Sequence, residues 1–162
     1  MKVTFAGTPV ELTGKEVRVG DTIKDFSAVK NDLSGFKLSD LKGRKLIVAV
    51  PSLDTSVCDA EVRRFNVEAT KMPDVSVITI SMDLPFAQAR WCGAAGVDNV
   101  IAVSDYKDRD FAEKFGAYLP NVGLLARSIF LLDEENRVQY VEYVPEVTAH
   151  PNYEAALQAV KK

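Results

Sequence analysis

Histidine is nearly missing from the chain: His150, between Ala149 and Pro151, is the only one. A His-rich metal site is therefore excluded. A site of Cys and His alone has at most three ligands, because cysteine occurs only at Cys58 and Cys92. A Ser-His-Asp triad would have to use His150, which otherwise reads as a surface turn residue. The phosphate-cradling patterns G-x-x-x-x-G-K-[ST] and G-x-G-x-x-G are absent, and so is the G-x-S-x-G of a nucleophile elbow. No apolar run approaches the ~18 residues of a transmembrane helix. The longest clean one, Leu46 to Val50, is strand-sized. The opening residues, Met1-Lys2-Val3-Thr4-Phe5, lack the apolar stretch of a signal peptide, so a cytoplasmic location is expected. Neither sign of charge dominates. A net charge of −3 leaves no electrostatic footprint for nucleic acid.

What remains is an ordinary globular composition, 47% apolar and 27% charged over 162 residues, enough for one domain with its own core. Val3 and Phe5, then Val10 and Leu12, alternate around Gly7-Thr8-Pro9 and predict an N-terminal hairpin within residues 1–14. Leu46 to Val50 reads as a strand covered on both faces. Val62, Phe65, Ala69 and Met72 form one apolar face of a helix from about Ser56 to Met72. Further strands are expected over Asp25–Lys30, Val75–Ile80, Val100–Val103, Leu124–Leu132 and Arg137–Val144. Helices are expected from Pro85 to Gly93, from Asp108 to a stop at Gly116, and from Asn152 to Val160. Strands alternating with helices predict an α/β domain with a largely parallel sheet, to which the last hairpin adds antiparallel strands, making a central mixed sheet flanked by helices with the N-terminal hairpin as an extension.

The reactive chemistry is concentrated in the cysteines. Cys58 lies about two residues into a helix that follows a buried strand and the polar turn Asp54-Thr55-Ser56. Unpaired N–H groups and the helix dipole there favour a thiolate, the nucleophilic form. Thr55 could accept from the thiol, donate to the thiolate or hold a substrate oxygen, and Pro51 could shield the site. The same pattern also fits a helix that merely buries a small apolar cysteine. Cys92 is 34 residues further on, a spacing that excludes C-x-x-C and zinc-ribbon sites. Arg127 interrupts the apolar run Leu124–Leu132, and alternation places it with Leu125, Ile129 and Leu131. A buried arginine needs a partner, either a carboxylate such as Asp54 or Asp83 or a thiolate. The alternative is an edge arginine reaching water. Arg63 and Arg64 read as a solvated face, with Asp59 and Glu68 as available partners. Trp91 suits either the base of the second helix or a dimer contact.

Pro51-Ser52-Leu53-Asp54-Thr55-Ser56-Val57-Cys58 resembles the peroxiredoxin motif P-x-x-x-T-x-x-C. The continuation to Asn66 resembles the bacterial thiol peroxidase branch, the atypical two-cysteine peroxiredoxins. So do the stretches Asp83–Gly93, Leu125-Ala126-Arg127-Ser128 and Pro151–Leu157, and the N-terminal hairpin belongs to the same branch. The resemblance covers essentially the whole chain. It implies a thioredoxin-like fold, a homodimer and reduction by thioredoxin, with no cofactor and no metal. It also implies that Cys58 is peroxidatic, that Cys92 is resolving and that the two form a disulfide. Thr55 and Arg127 would then orient a hydroperoxide, and Pro51 would shield the site. Ser56 departs from the glycine or proline common in this branch, and Trp91 is bulkier than the phenylalanine expected there.

Two cysteines on different helices imply local unwinding before they can join, since a disulfide requires Cα atoms within ~7 Å. A peroxide-responsive redox sensor, a structural disulfide on an inert fold and a one-cysteine peroxidase remain alternative readings of the same residues.

Overall fold

The computed structural model describes all of residues 1–162. The chain opens with the hairpin β1 (Lys2–Phe5) and β2 (Thr8–Glu11), followed by β3 (Ser27–Lys30), β4 (Gly35–Lys37) and β5 (Arg44–Ala49). Next come α1 (Ser56–Ala69), β6 (Val75–Ser81), α2 (Pro85–Ala95), β7 (Ile101–Ser104) and α3 (Asp110–Phe115). Short strands β8 (Tyr118–Leu119) and β9 (Leu124–Leu125) lead to β10 (Ser128–Leu132), β11 (Val138–Tyr143) and α4 (Tyr153–Lys161). None of the helices is long and apolar enough to cross a membrane.

Seven strands form the central sheet in the order β11-β10-β5-β6-β7-β3-β4. Only the β5–β6 and β6–β7 pairings are parallel; the other four are antiparallel. The sheet is thus mixed, and less parallel than the strand–helix alternation implies. Two hairpins flank the parallel core, and hairpins need no crossover helix.

Strand β5 is buried on both sides, as its unbroken apolar run predicts. Ile47 and Ala49 join a core of 19 residues that includes Phe26, Phe111, Phe115 and Phe130 beneath α3. Leu46 and Val48, one residue out of phase, join a second core of 16 residues with Val62, Phe65, Trp91 and Ala156 from α1, α2 and α4. Cys58 belongs to this second core.

Helix ends follow local chemistry. Asn152 caps α4 by accepting from the Ala155 N–H at 3.0 Å. Gly116 ends α3 at φ 60°, and a Cβ there would lie 2.7 Å from the Lys15 backbone, so the position takes only glycine.

The N-terminal hairpin is tied down rather than loose. Thr4 N donates to Pro145 O at 2.7 Å, and Val147 N donates back to Thr4 O at 2.8 Å. The Glu146 carboxylate accepts from the Ala6 and Gly7 amides and from the Thr4 and Thr148 hydroxyls. These bonds hold its carboxyl down at about 2, those from Thr148 contributing most. Val3, Val10 and Leu12 pack with Leu119, Ala126 and Val147, which brings Phe5 alongside the segment before α4.

Candidate active site

The site begins where β5 ends. Asp83, just past β6, holds the connecting loop: it accepts from Ser52 Oγ at 2.7 Å and from the Leu53 amide at 2.8 Å. The loop then turns into α1 with Thr55 as N-cap. The Thr55 hydroxyl donates to Ser52 O at 3.1 Å and accepts from the Cys58 amide at 3.4 Å. It therefore serves the backbone and makes no bond to the Cys58 sulfur. One hydroxyl lone pair remains for an incoming donor.

Cys58 is the third residue of α1 and is fully buried. Its sulfur is not among apolar neighbours only. Arg127 Nη2 donates to Cys58 Sγ at 3.3 Å, Nη1 donates to Glu61 Oε1 at 2.6 Å, and Nε donates to Val147 O at 2.8 Å. Arg127 itself is 2% exposed. Burial alone would lower its pKa. The charges of Glu61 and Cys58 reverse the direction and raise it, so the guanidinium stays cationic. The edge-arginine reading is thereby overturned, and so is the choice of Asp54 or Asp83 as partner. Asp83 is engaged by the loop, and the carboxylate that faces Arg127 is Glu61.

Glu61 was not among the residues the sequence suggested, although a signal was present. It sits three residues after Cys58 and falls within the buried stripe Cys58, Glu61, Val62, Phe65. A charge in an otherwise apolar helix face has to meet an opposite charge below it. Burial pushes the Glu61 carboxyl up to about 7 against the attraction of Arg127, and its Oε2 has no partner.

Arg127 is reached because the expected strand Leu124–Leu132 is interrupted. Ala126 and Arg127 separate β9 from β10. Leu125 faces the α3 side, whereas Ile129 and Leu131 face the α1 side that holds Cys58. The break thus separates Leu125 from the face it was expected to share with Arg127.

At the start of α1 lies a pocket of about 260 Å³ whose lining includes Phe5, Pro51, Thr55, Val57, Arg127 and Val147, while Cys58 itself is buried behind this lining. A cleft of about 370 Å³ beside Lys15, Thr22 and Lys114 contains no cysteine and no buried charge. The smaller pocket is the one with chemistry. It has an apolar wall, a fixed cation and a hydroxyl, and the Cys58 thiol is 3.3 Å from that cation.

Cys92 lies on α2, half-buried, and both cysteines are free. Burial raises its thiol pKa above the usual range. Trp91, beside it, is packed in the second core, and its Nε1 donates to Asp59 Oδ2 at 2.9 Å. Arg63 pairs with Asp59, while Arg64 pairs with Glu154 at 3.0 Å and lies over the Tyr153 ring. His150 is exposed, and its Nδ1 is 2.8 Å from Tyr153 Oη.

The Redoxin family profile matches residues 18–157. The chain is 55% identical to the thiol peroxidase of Bacillus subtilis (strain 168) over 161 residues, 99% of this chain and 96% of that protein. The chain belongs to the thiol peroxidases of the redoxin family. It is also 48% identical to the thiol peroxidase of Streptococcus pneumoniae (strain R6) over 160 residues, 98% of each chain. Among solved structures, a peroxiredoxin-like protein from Aquifex aeolicus superposes with a TM-score of 0.91 at 40% identity, over 99% of this chain and 95% of that one. A thiol peroxidase from Chromobacterium violaceum shares the fold with a TM-score of 0.90 at 23% identity, over 99% of this chain and 95% of that one. The expected thioredoxin-like architecture is therefore the fold of this redoxin, with the hairpin of residues 2–11 lying outside the matched segment.

Proposed function

We propose that Cys58 is the peroxidatic nucleophile of this thiol peroxidase and that Cys92 resolves it through an intramolecular disulfide that thioredoxin reduces. As a family member the chain is a thiol-dependent peroxidase of the peroxiredoxin type. The residue assignments rest on one observation above all: a buried guanidinium is fixed by Glu61 and Val147 so that Nη2 meets Cys58 Sγ at 3.3 Å. That contact gives Cys58 a fixed cationic donor, which favours its thiolate and which a cysteine buried only for packing does not need.

The steps follow from that arrangement. The Cys58 thiolate attacks one oxygen of a hydroperoxide and the O–O bond breaks. The other oxygen leaves with a proton as water or alcohol, and Cys58 becomes a sulfenic acid. Charge develops on the departing oxygen, and Arg127 stabilises it without reorganising, because its other nitrogens are already committed. Thr55 accepts from the peroxide O–H with its spare lone pair, and Pro51 keeps bulk water from the sulfur. Cys92 then displaces the sulfenic oxygen as water and forms the Cys58–Cys92 bond. A thioredoxin dithiol restores both thiols. Hydrogen peroxide and small alkyl hydroperoxides both suit a pocket of about 260 Å³ walled by Phe5, Val57 and Val147. A cytoplasmic location belongs to the same proposal, since two thiols that must be recycled need a reducing compartment, and so does the homodimer that the family resemblance implies.

The test is peroxide consumption at catalytic enzyme with thioredoxin, its reductase and NADPH. The wild type is expected to turn over, Cys58→Ser to be dead, and Cys92→Ser to fail to recycle. A wild type that forms its Cys58–Cys92 disulfide once and then stops would make the protein a sensor instead.

A further inference from the structure

Each cysteine has a neighbour that the proposed chemistry does not use. Asp59 follows Cys58 on α1, and Trp91 precedes Cys92 on α2. These neighbours are bonded to each other, with Trp91 Nε1 donating to Asp59 Oδ2 at 2.9 Å. Arg63, one turn along α1, completes the contact. It donates to Asp59 Oδ1, holds its guanidinium carbon 5.6 Å from the Trp91 ring centroid, and places Nη1 3.5 Å from Ala95 O at the end of α2. Trp91 is 9% exposed, whereas the side chains of Asp59 and Arg63 are 35% and 50% exposed, so a buried indole N–H is paired with a carboxylate at the protein surface. Three side chains thus tie the two cysteine-bearing helices together, two of them next in sequence to a cysteine.

We infer that Asp59, Trp91 and Arg63 form a clamp that exists only in the reduced, fully helical state and sets how fast, and how far, the enzyme goes over to its disulfide. The inference rests on the proposed Cys58–Cys92 disulfide. In that step the Cys58 S–O bond breaks, the S–S bond forms, and the Cys92 proton leaves with the oxygen as water. The sulfurs start on separate helices, so the backbone at one or both must unwind to bring the Cα atoms within ~7 Å. Asp59 and Trp91 move with their neighbouring cysteines, so unwinding breaks their bond. A contact present before a conformational step and absent after it raises the barrier and favours the starting state. These three are therefore positioning residues for resolution, with no part in the attack on peroxide.

The experiment uses Trp91→Phe, Asp59→Ala and the double variant in the full chain. Rapid mixing of reduced protein with hydrogen peroxide, acid quench and alkylation read the first-order rate of disulfide formation. The same variants in a Cys92→Ser background read sulfenic acid formation alone. The expected result is a rise of about tenfold in the disulfide rate for each single variant, the scale of one charge-assisted hydrogen bond. The double variant is expected to gain no more than either single one. Sulfenic acid formation should stay within about twofold of its parent, which also shows that the variants fold. The equilibrium with dithiothreitol should shift toward the disulfide by a factor like that in the rate. Trp91 is the sole tryptophan, so in Asp59→Ala and wild type its emission should change in the disulfide phase and not in the sulfenic phase. Unchanged or slower disulfide formation in both single variants, or additive effects in the double, overturns the clamp while leaving the two-cysteine reading intact. A wild type that forms no Cys58–Cys92 disulfide overturns both.

Discussion

Arg127 Nη2 sits 3.3 Å from Cys58 Sγ, and the two residues are 69 positions apart in the chain. The contact exists because α1 begins over the end of β5, while Arg127 precedes β10, the antiparallel partner of β5. Ser128 pairs with Ala49, so the register of two strands delivers the cation beneath the first turn of the helix.

The guanidinium is expected to be irreplaceable in chemistry. Lysine keeps the charge but cannot reach Cys58, Glu61 and Val147 together. Arg127→Lys should lower the second-order rate with peroxide by about 10²–10³, the loss typical of one preorganised donor. Stopped-flow oxidation of a Cys92→Ser background measures it. Arg127→Ala should also lose about 3–5 kcal/mol of stability, because Glu61 is left buried and unpaired.

Glu61 predicts a definite pH slope in stability. Its carboxyl is pushed up to about 7 by burial, above the ordinary value of 4.5. The native state therefore holds its proton more tightly than the unfolded chain does. That contribution is complete below about pH 4.5 and is lost as pH rises through 7. Glu61→Gln should flatten the denaturation midpoint between those limits. Asp105, pushed up to about 6 by burial, gives a slope of the same sign at lower pH that survives the substitution. An unaltered slope in Glu61→Gln would place the titration elsewhere.

Glu146 acts in the opposite direction. Its bonds to the hairpin and to Thr148 hold it at about 2, so its contribution is present above pH 4.5 and is lost as pH falls toward 2. Glu146→Ala should release the hairpin first. Hydrogen exchange at the Gly7 and Val147 amides is expected to speed up while the central sheet stays protected.

Phe5 reaches the pocket only through that hairpin. Phe5→Ala should raise KM for an aromatic or branched alkyl hydroperoxide several-fold and leave hydrogen peroxide turnover nearly unchanged. Steady-state kinetics with the two substrates separate a wall residue from a general defect.

Cys92 supplies a kinetic signature. Burial raises its pKa, and the thiolate is the attacking form, so disulfide formation should keep accelerating above the pH at which an ordinary cysteine has levelled off. Quenched-flow rates across alkaline pH test this.

Much of this site is legible in the sequence because local rules govern it. Thr55 and the helix start follow from capping, the β5 core strand from an unbroken apolar run, and Cys58 from its place in the first turn. Glu61 was not read, because pairing Arg127 required knowing which helix face lies over residue 127. Phe5 escaped for the same reason, since its place depends on where the hairpin folds back onto Pro145, Glu146 and Val147. The mixed character of the sheet follows from its last hairpin, but alternation of element types says nothing about the direction in which β3 runs beside β7.

The most direct test is peptide mapping of reduced protein after one equivalent of hydrogen peroxide. The account predicts a Cys58–Cys92 disulfide in the wild type and a trappable sulfenic acid on Cys58 in Cys92→Ser. Oxidation that appears first on Cys92, or wild-type protein that keeps both thiols free while the peroxide persists, would contradict it.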